Sequence, residues 1–115
     1  MHTINPQAVQ ELLDELRNED IYFQLEMTTG AYAAHRDSSK FTASTFVSNS
    51  RIRYTQGAIA GSGPYRVGLK TETSWIYSEG LTHWAPQQAR RLTLAGHDAE
   101  GKLVVGLQLS REPFL

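Results

Sequence analysis

Apolar and polar residues alternate along this chain with two periods, and the change from one to the other falls near residue 20. Before it, Val9, Leu12, Leu13 and Leu16 follow the i, i+3, i+4, i+7 spacing that puts one apolar stripe on a helix. Asn5 suits the N-cap, Pro6 the first helical position, and Ile4 can staple onto Val9. Asn18 is a natural stop, because asparagine tolerates the left-handed conformation that ends helices. The spacing predicts a helix over about residues 6–18. Its stripe packs on a β-core or contributes to an oligomer interface.

After residue 20 the period is two. Ile21, Phe23, Leu25 and Met27 alternate with Tyr22, Gln24 and Glu26, the pattern of a half-buried strand. Thr28-Thr29-Gly30 predicts a turn, residues 31–36 a return strand, and residues 37–40 a second turn. Phe41, Ala43, Thr45 and Val47 alternate again, and Ser48-Asn49-Ser50 predicts another turn. A strand then starts at Arg51 and continues to about Ala60. Gly61-Ser62-Gly63-Pro64 is the sharpest break in the chain. Beyond it Tyr65, Val67 and Leu69 face one way, and Arg66, Gly68 and Lys70 the other. Glu72-Thr73 turns the chain into a short strand at Trp75, Ile76 and Tyr77. Gly80 marks a bend or bulge, after which the strand resumes through Leu81 and His83. Residues 85–88 read as a loop. Leu92 and Leu94 open a hairpin that turns at residues 98–101 and returns with Leu103, Val105, Leu107 and Leu109 on one face. Pro113 ends regular structure, leaving Phe114-Leu115 as an apolar tail.

Strands at this spacing, with no helix long enough for a parallel crossover, predict an all-β fold with one N-terminal α-helix. The expected form is a mainly antiparallel meander of about eight or nine strands, closed into a barrel or folded as a sandwich. One domain is expected over residues 1–115, with the helix near 6–18 and the β-domain near 20–110.

Composition narrows the function classes. The chain has 115 residues, 40% hydrophobic and 20% charged, which suits one domain with a real core. Eleven Lys and Arg stand against twelve Asp and Glu, for a net charge of −1. That balance argues against nucleic acid, whose binding draws on a basic surplus. With no cysteine there is no disulfide, no thiolate nucleophile and no cysteine-bound zinc. The absence also favours a cytoplasmic protein over a small secreted scaffold. No signal sequence and no apolar run of roughly 20 residues is visible, so neither export nor a membrane partner is expected.

Catalytic motifs are missing. His2, His35, His83 and His97 form none of the common zinc spacings. Glu79 and His83 would share a strand face if Gly80 keeps the register, with His35 as a cross-strand third, but surface histidines are the simpler reading. There is no G-x-S-x-G elbow. Gly57, Gly61 and Gly63 lead into no phosphate-binding helix. The expectation is therefore no catalytic residue, no metal ligand and no cofactor. One cluster remains. Arg66 and Lys70 share a face, as do Arg51 and Arg53, and Trp75, Tyr77 and Trp84 follow closely in sequence. Cations beside aromatic rings suit recognition of carboxylate, phosphate or sugar, and they equally suit an ordinary exposed sheet face. The candidate ligand-binding set is Tyr65, Arg66, Lys70, Trp75, Tyr77, Glu79 and His83.

Three stretches are distinctive: LEMTTGAYAAH at 25–35, GSGPYRVGLKTETSWIYSEGLTH at 61–83 and AGHDAEGKLVVGLQLS at 95–110, the last followed by Glu112-Pro113-Phe114. Together they resemble the YojF family of small proteins in bacilli. The match runs in order from about Ile21 to Phe114, while the helical segment before it matches only in character. The resemblance implies an all-β fold and transfers no catalytic residue, since the family has no assigned activity. Its genes often lie beside a zinc-dependent deacetylase of bacillithiol synthesis, which implies an accessory role beside that enzyme. Lacking cysteine, this chain cannot itself form a mixed disulfide with that thiol. The leading expectation is a non-enzymatic binding or accessory protein, cytoplasmic and homodimeric. The alternative is a binder of an anionic or sugar-like small molecule, or an enzyme, using the face between residues 65 and 83.

Overall fold

The computed structural model describes residues 1–29, 43–86 and 91–114. Its elements in chain order are β1 (His2–Thr3), α1 (Pro6–Leu16), β2 (Ile21–Thr29), β3 (Ala43–Ile52), β4 (Gln56–Ala60), β5 (Tyr65–Lys70), β6 (Trp75–Leu81), β7 (His83–Trp84), β8 (Arg91–His97) and β9 (Leu103–Ser110). Asn5 caps the helix through its side-chain oxygen, which accepts from the Ala8 amide at 3.2 Å. Val9, Leu13 and Leu16 are buried, so the predicted stripe faces the core. The helix ends at Leu16, two residues before its predicted stop, and Asn18 takes the left-handed conformation with φ 63°.

The strands form two antiparallel sheets. One has six strands in the order β1-β7-β8-β9-β2-β3, the other three in the order β4-β5-β6. They share one core: Val67, Leu69 and Leu81 from the small sheet meet Leu92, Leu94, Val105, Leu107 and Leu109 from the large one, with α1 packed alongside. Among the described residues the sheets do not close into a barrel, and the sandwich alternative describes them. Where they meet, β6 runs tightly against β8. A Cβ on Gly96 would fall inside contact distance of the Gly80 carbonyl and of Val105 Cγ1.

Two predicted features are corrected. Ser48-Asn49-Ser50 is a β-bulge within one long strand, not a turn. Phe23 pairs with Ser50 and Leu25 with Val47, so Ser48 and Asn49 together oppose Gln24. Asn49 takes φ 52° there, and turns and bulges ask for the same tolerant residue, so local sequence does not separate them. The strand predicted from Arg51 to Ala60 is two strands in different sheets. Between them the chain turns about Tyr54, fully buried, whose hydroxyl donates to the Leu13 carbonyl. Arg51 and Arg53 flank this corner, and both reach Asp20, at 3.2 and 3.1 Å. The predicted strand at 31–36 and the loop residues Gln87 and Gln88 lie outside the described residues. Among the described residues no helix is long and apolar enough to cross a membrane.

Candidate functional site: the outer face of the three-stranded sheet

The small sheet turns Val67, Leu69 and Leu81 inward, and alternation therefore sends Arg66, Gly68 and Lys70 outward. Register supplies their neighbours on β6. Lys70 pairs with Trp75 and Gly68 with Tyr77. Beyond them, Tyr65 pairs with Leu81 and Val67 with Ser78, so Arg66 stands opposite the two residues Glu79 and Gly80. Gly80 accommodates this bulge with φ 80°, and the bulge brings Glu79 to Arg66, with Nε and Oε1 3.3 Å apart.

The aromatic rings complete a ladder. Trp75 and Tyr77 stack with centroids 5.6 Å apart and planes 7° from parallel. The Arg66 guanidinium lies over the Tyr77 ring at 4.0 Å, and Lys70 Nζ stands 6.0 Å from the Trp75 ring. In order across the face the groups are Arg66, Tyr77, Trp75 and Lys70. Gly68 is the floor beneath them. A Cβ there would stand 3.0 Å from Tyr77 Cε1 and 3.5 Å from Trp75 Cζ3, so both rings cover bare backbone. Trp75 and Tyr77 remain 43% and 46% exposed.

Five of the seven residues singled out by pattern therefore stand together: Arg66, Lys70, Trp75, Tyr77 and Glu79. Tyr65 does not join them. Its side chain is on the inner side of β5, half-buried against the core. His83 belongs to the other sheet, because the chain leaves β6 at Thr82 and enters β7. The Gly80 bulge thus breaks the shared face expected for Glu79 and His83. His35, the third group of that expectation, lies outside the described residues. Trp84 is buried in the core. Arg51 and Arg53 are engaged by Asp20 rather than joined to the aromatic face.

Pattern reading overlooked two other places. On the outer face of the large sheet, Gln24, Glu26, Phe46, Ser48 and Gln108 surround Gly106 in a shallow open cleft, with Phe46 62% exposed. Alternation along residues 21–27 already points Gln24 and Glu26 outward. Their meeting with Phe46 depends on the β2–β3 register, which the Asn49 bulge sets. The second place is a contact between His83 and His97, whose Nδ1 atoms are 3.3 Å apart. Fourteen residues separate them in sequence, so no spacing motif reports it.

Comparison with known proteins places this architecture. The model of a family described as "Protein of unknown function (DUF1806)" matches residues 3–114. The chain is 44% identical over 114 residues to the uncharacterized protein YojF of Bacillus subtilis (strain 168), covering 99% of this chain and 98% of that protein. The crystal structure of B. subtilis YojF superposes with a TM-score of 0.81 at 40% identity, covering 98% of this chain and 95% of that one. The chain described here belongs to the DUF1806 family, which includes YojF.

Proposed function

We propose that this protein is a non-enzymatic binding or accessory protein of the cytoplasm. Its recognition surface is the face built from Arg66, Tyr77, Trp75 and Lys70, and its ligand is a carboxylate-bearing patch on a partner protein. One observation carries this reading: two large aromatic rings and two cations are held ready, and half exposed, on a flat sheet face. Trp, Tyr and Arg dominate binding energy at protein interfaces, and groups already ordered lose little entropy on docking. Charge selects the partner, since Glu79 engages Arg66 at one end of the ladder while Lys70 stands over Trp75 at the other. The ring faces on which a sugar would stack are filled by each other and by the cations, which favours a protein surface over a sugar.

The family resemblance suggests the zinc-dependent deacetylase of bacillithiol synthesis as the first partner to try, and a homodimer as the working unit. Among the described residues β3 is the long outermost strand of its sheet, with Phe46 exposed on it, and this supports the dimer, because sheet edges invite a second copy. Size-exclusion chromatography with light scattering, on the chain alone and mixed with the deacetylase, tests both parts. The expected masses are a dimer and a larger complex. The complex should be lost in Arg66→Glu/Tyr77→Ala, with circular dichroism checking that the variant is folded. A monomer that never co-elutes, or a complex indifferent to these substitutions, would sink the reading.

A further inference from the structure

We propose that the cleft beside Gly106, on the outer face of the large sheet, is a binding site for one uncharged sugar ring. It lies in a different sheet from the aromatic ladder and is independent of it. Register builds it. Glu26 pairs with Phe46 on β3 and with Gly106 on β9, and Gln24 pairs with Gln108. The Asn49 bulge sets Ser48 beside Gln24. These residues form two rows across three strands, a patch of about 7 Å by 10 Å. That is the footprint of a single pyranose.

Gly106 points to a ligand. A glycine inside a strand weakens it, and marks a bulge, a tight bend or the close approach of a ligand or another backbone. Here the pairing runs through Gly106 without a step, toward both β2 and β8. Its φ is not positive, and an added Cβ would meet only the Leu94 carbonyl oxygen, at 4.0 Å. Neither backbone geometry nor packing inside the fold therefore calls for glycine, and close approach from outside is the reading left. The rim supplies matching groups. Among the described residues nothing engages the Glu26 carboxylate or the Gln108 amide, and Gln24 Oε1 accepts only a long hydrogen bond, 3.4 Å, from Ser48 Oγ. No ring or cation covers Phe46 among those residues, in contrast to the rings of the ladder. A pyranose meets each of these groups. Its apolar C–H face suits the electron-rich face of Phe46. Its hydroxyls both donate and accept, as the two glutamine amides do. Glu26 accepts from hydroxyls in charge-assisted hydrogen bonds. Charge sets the ligand class: Glu26 is the single charged group lining the cleft, so phosphorylated and acidic sugars are repelled. Pairing of a second copy along β3 would use backbone groups in the plane of the sheet and leave this face open.

Amide NMR of the ¹⁵N-labelled full chain, titrated with methyl glucoside, galactoside and mannoside, tests the site. At least one should bind with a Kd on the order of millimolar, the strength a ligand of this size reaches with few contacts. The largest shifts should fall on the Gly106 amide and on the Gln24 and Gln108 side-chain amides. The 6-phosphate of the preferred sugar should bind more weakly. Gly106→Val, which fills the cleft, should abolish binding, and Phe46→Ala should weaken it by about fivefold. The spectrum of each variant reports its fold, and Phe46 is exposed, so its loss leaves the core intact. Silence with all three sugars, shifts centred elsewhere, or binding kept in a folded Gly106→Val chain would overturn the proposal. So would a Phe46→Ala chain that binds the sugars unchanged but loses its dimer, which would assign this face to a second copy.

Discussion

At the scale of single residues, Gly96 is the position with least freedom. It lies on the inner side of β8, where the β6 backbone passes at Gly80. A methyl group there would collide with the Gly80 carbonyl oxygen and with Val105 Cγ1. A side-chain tip can swing away from such a collision, but a backbone carbonyl in a packed sheet cannot. Gly96→Ala should therefore destabilise the protein by about 3 kcal/mol, the upper end of overpacking effects. Gly106→Ala is the matched control. Its added Cβ would meet only the Leu94 carbonyl, at 4.0 Å, and the change should stay within about 0.5 kcal/mol. Urea unfolding of both variants measures the difference. Equal midpoints would mean that the two sheets separate easily at this crossing.

At the scale of elements, helix α1 both fills the core and finishes a sheet. Among the described residues β4 is an edge strand, and Gln10 stands where a neighbouring strand would be. Its Oε1 accepts from the Ile59 amide at 3.0 Å, and its Nε2 donates to the Gly57 carbonyl at 2.8 Å. One side-chain amide thus satisfies a backbone donor and acceptor that are partly buried. Gln10→Ala should cost about 1–2 kcal/mol, the desolvation of groups left unpaired. In denaturant titration the midpoint should fall with an unchanged slope. A normal midpoint would show that water replaces the amide freely. Local pattern made the elements legible: the helix, its cap, the inward stripe of β9 and the outward Arg66–Gly68–Lys70 row follow from periods of 3.6 and 2. Pairing was not legible. The Ser48-Asn49-Ser50 bulge, the change of sheet at Tyr54 and the departure of His83 from the β6 face each depend on a partner strand far along the chain. That is why His83 falls elsewhere, whereas Tyr65 lies on the inner side of β5 by the same two-residue alternation that sends Arg66 and Lys70 outward.

At the scale of the whole molecule, two adjacent carboxylates tie distant segments together. Glu19 and Asp20 sit between α1 and β2. Arg111, just beyond β9, reaches Glu19 at 3.0 and 3.1 Å, while Arg51 and Arg53 reach Asp20 from the end of β3. Hydrogen bonds from Arg111 hold the Glu19 carboxyl below its ordinary 4.5, and those from Arg53 and then Arg51 hold Asp20 below 3.8. A depressed carboxyl stabilises the fold at pH values above its unfolded pKa, and that contribution is lost as pH falls through the folded value. Tyr54 acts at the other end of the scale. Burial, and then the nearby Asp14 and Glu19 charges, raise its phenol above the ordinary 10.0. The unfolded chain therefore loses that proton first, and stability declines as pH rises beyond about 10. The melting temperature should accordingly be level across the neutral range and fall on both sides. Both acidic pairs are exposed to solvent, so the acid limb should also flatten in high salt. Glu19→Gln/Asp20→Asn should lower the plateau and shrink the fall between about pH 5 and 3, while keeping most of the alkaline limb, since burial is the larger cause of the Tyr54 shift. Tyr54→Phe should do the reverse, removing the alkaline fall and keeping the acid one. An acid limb of the same size in the double variant would assign acid unfolding to other carboxylates and leave these two without a measurable part in holding the chain together.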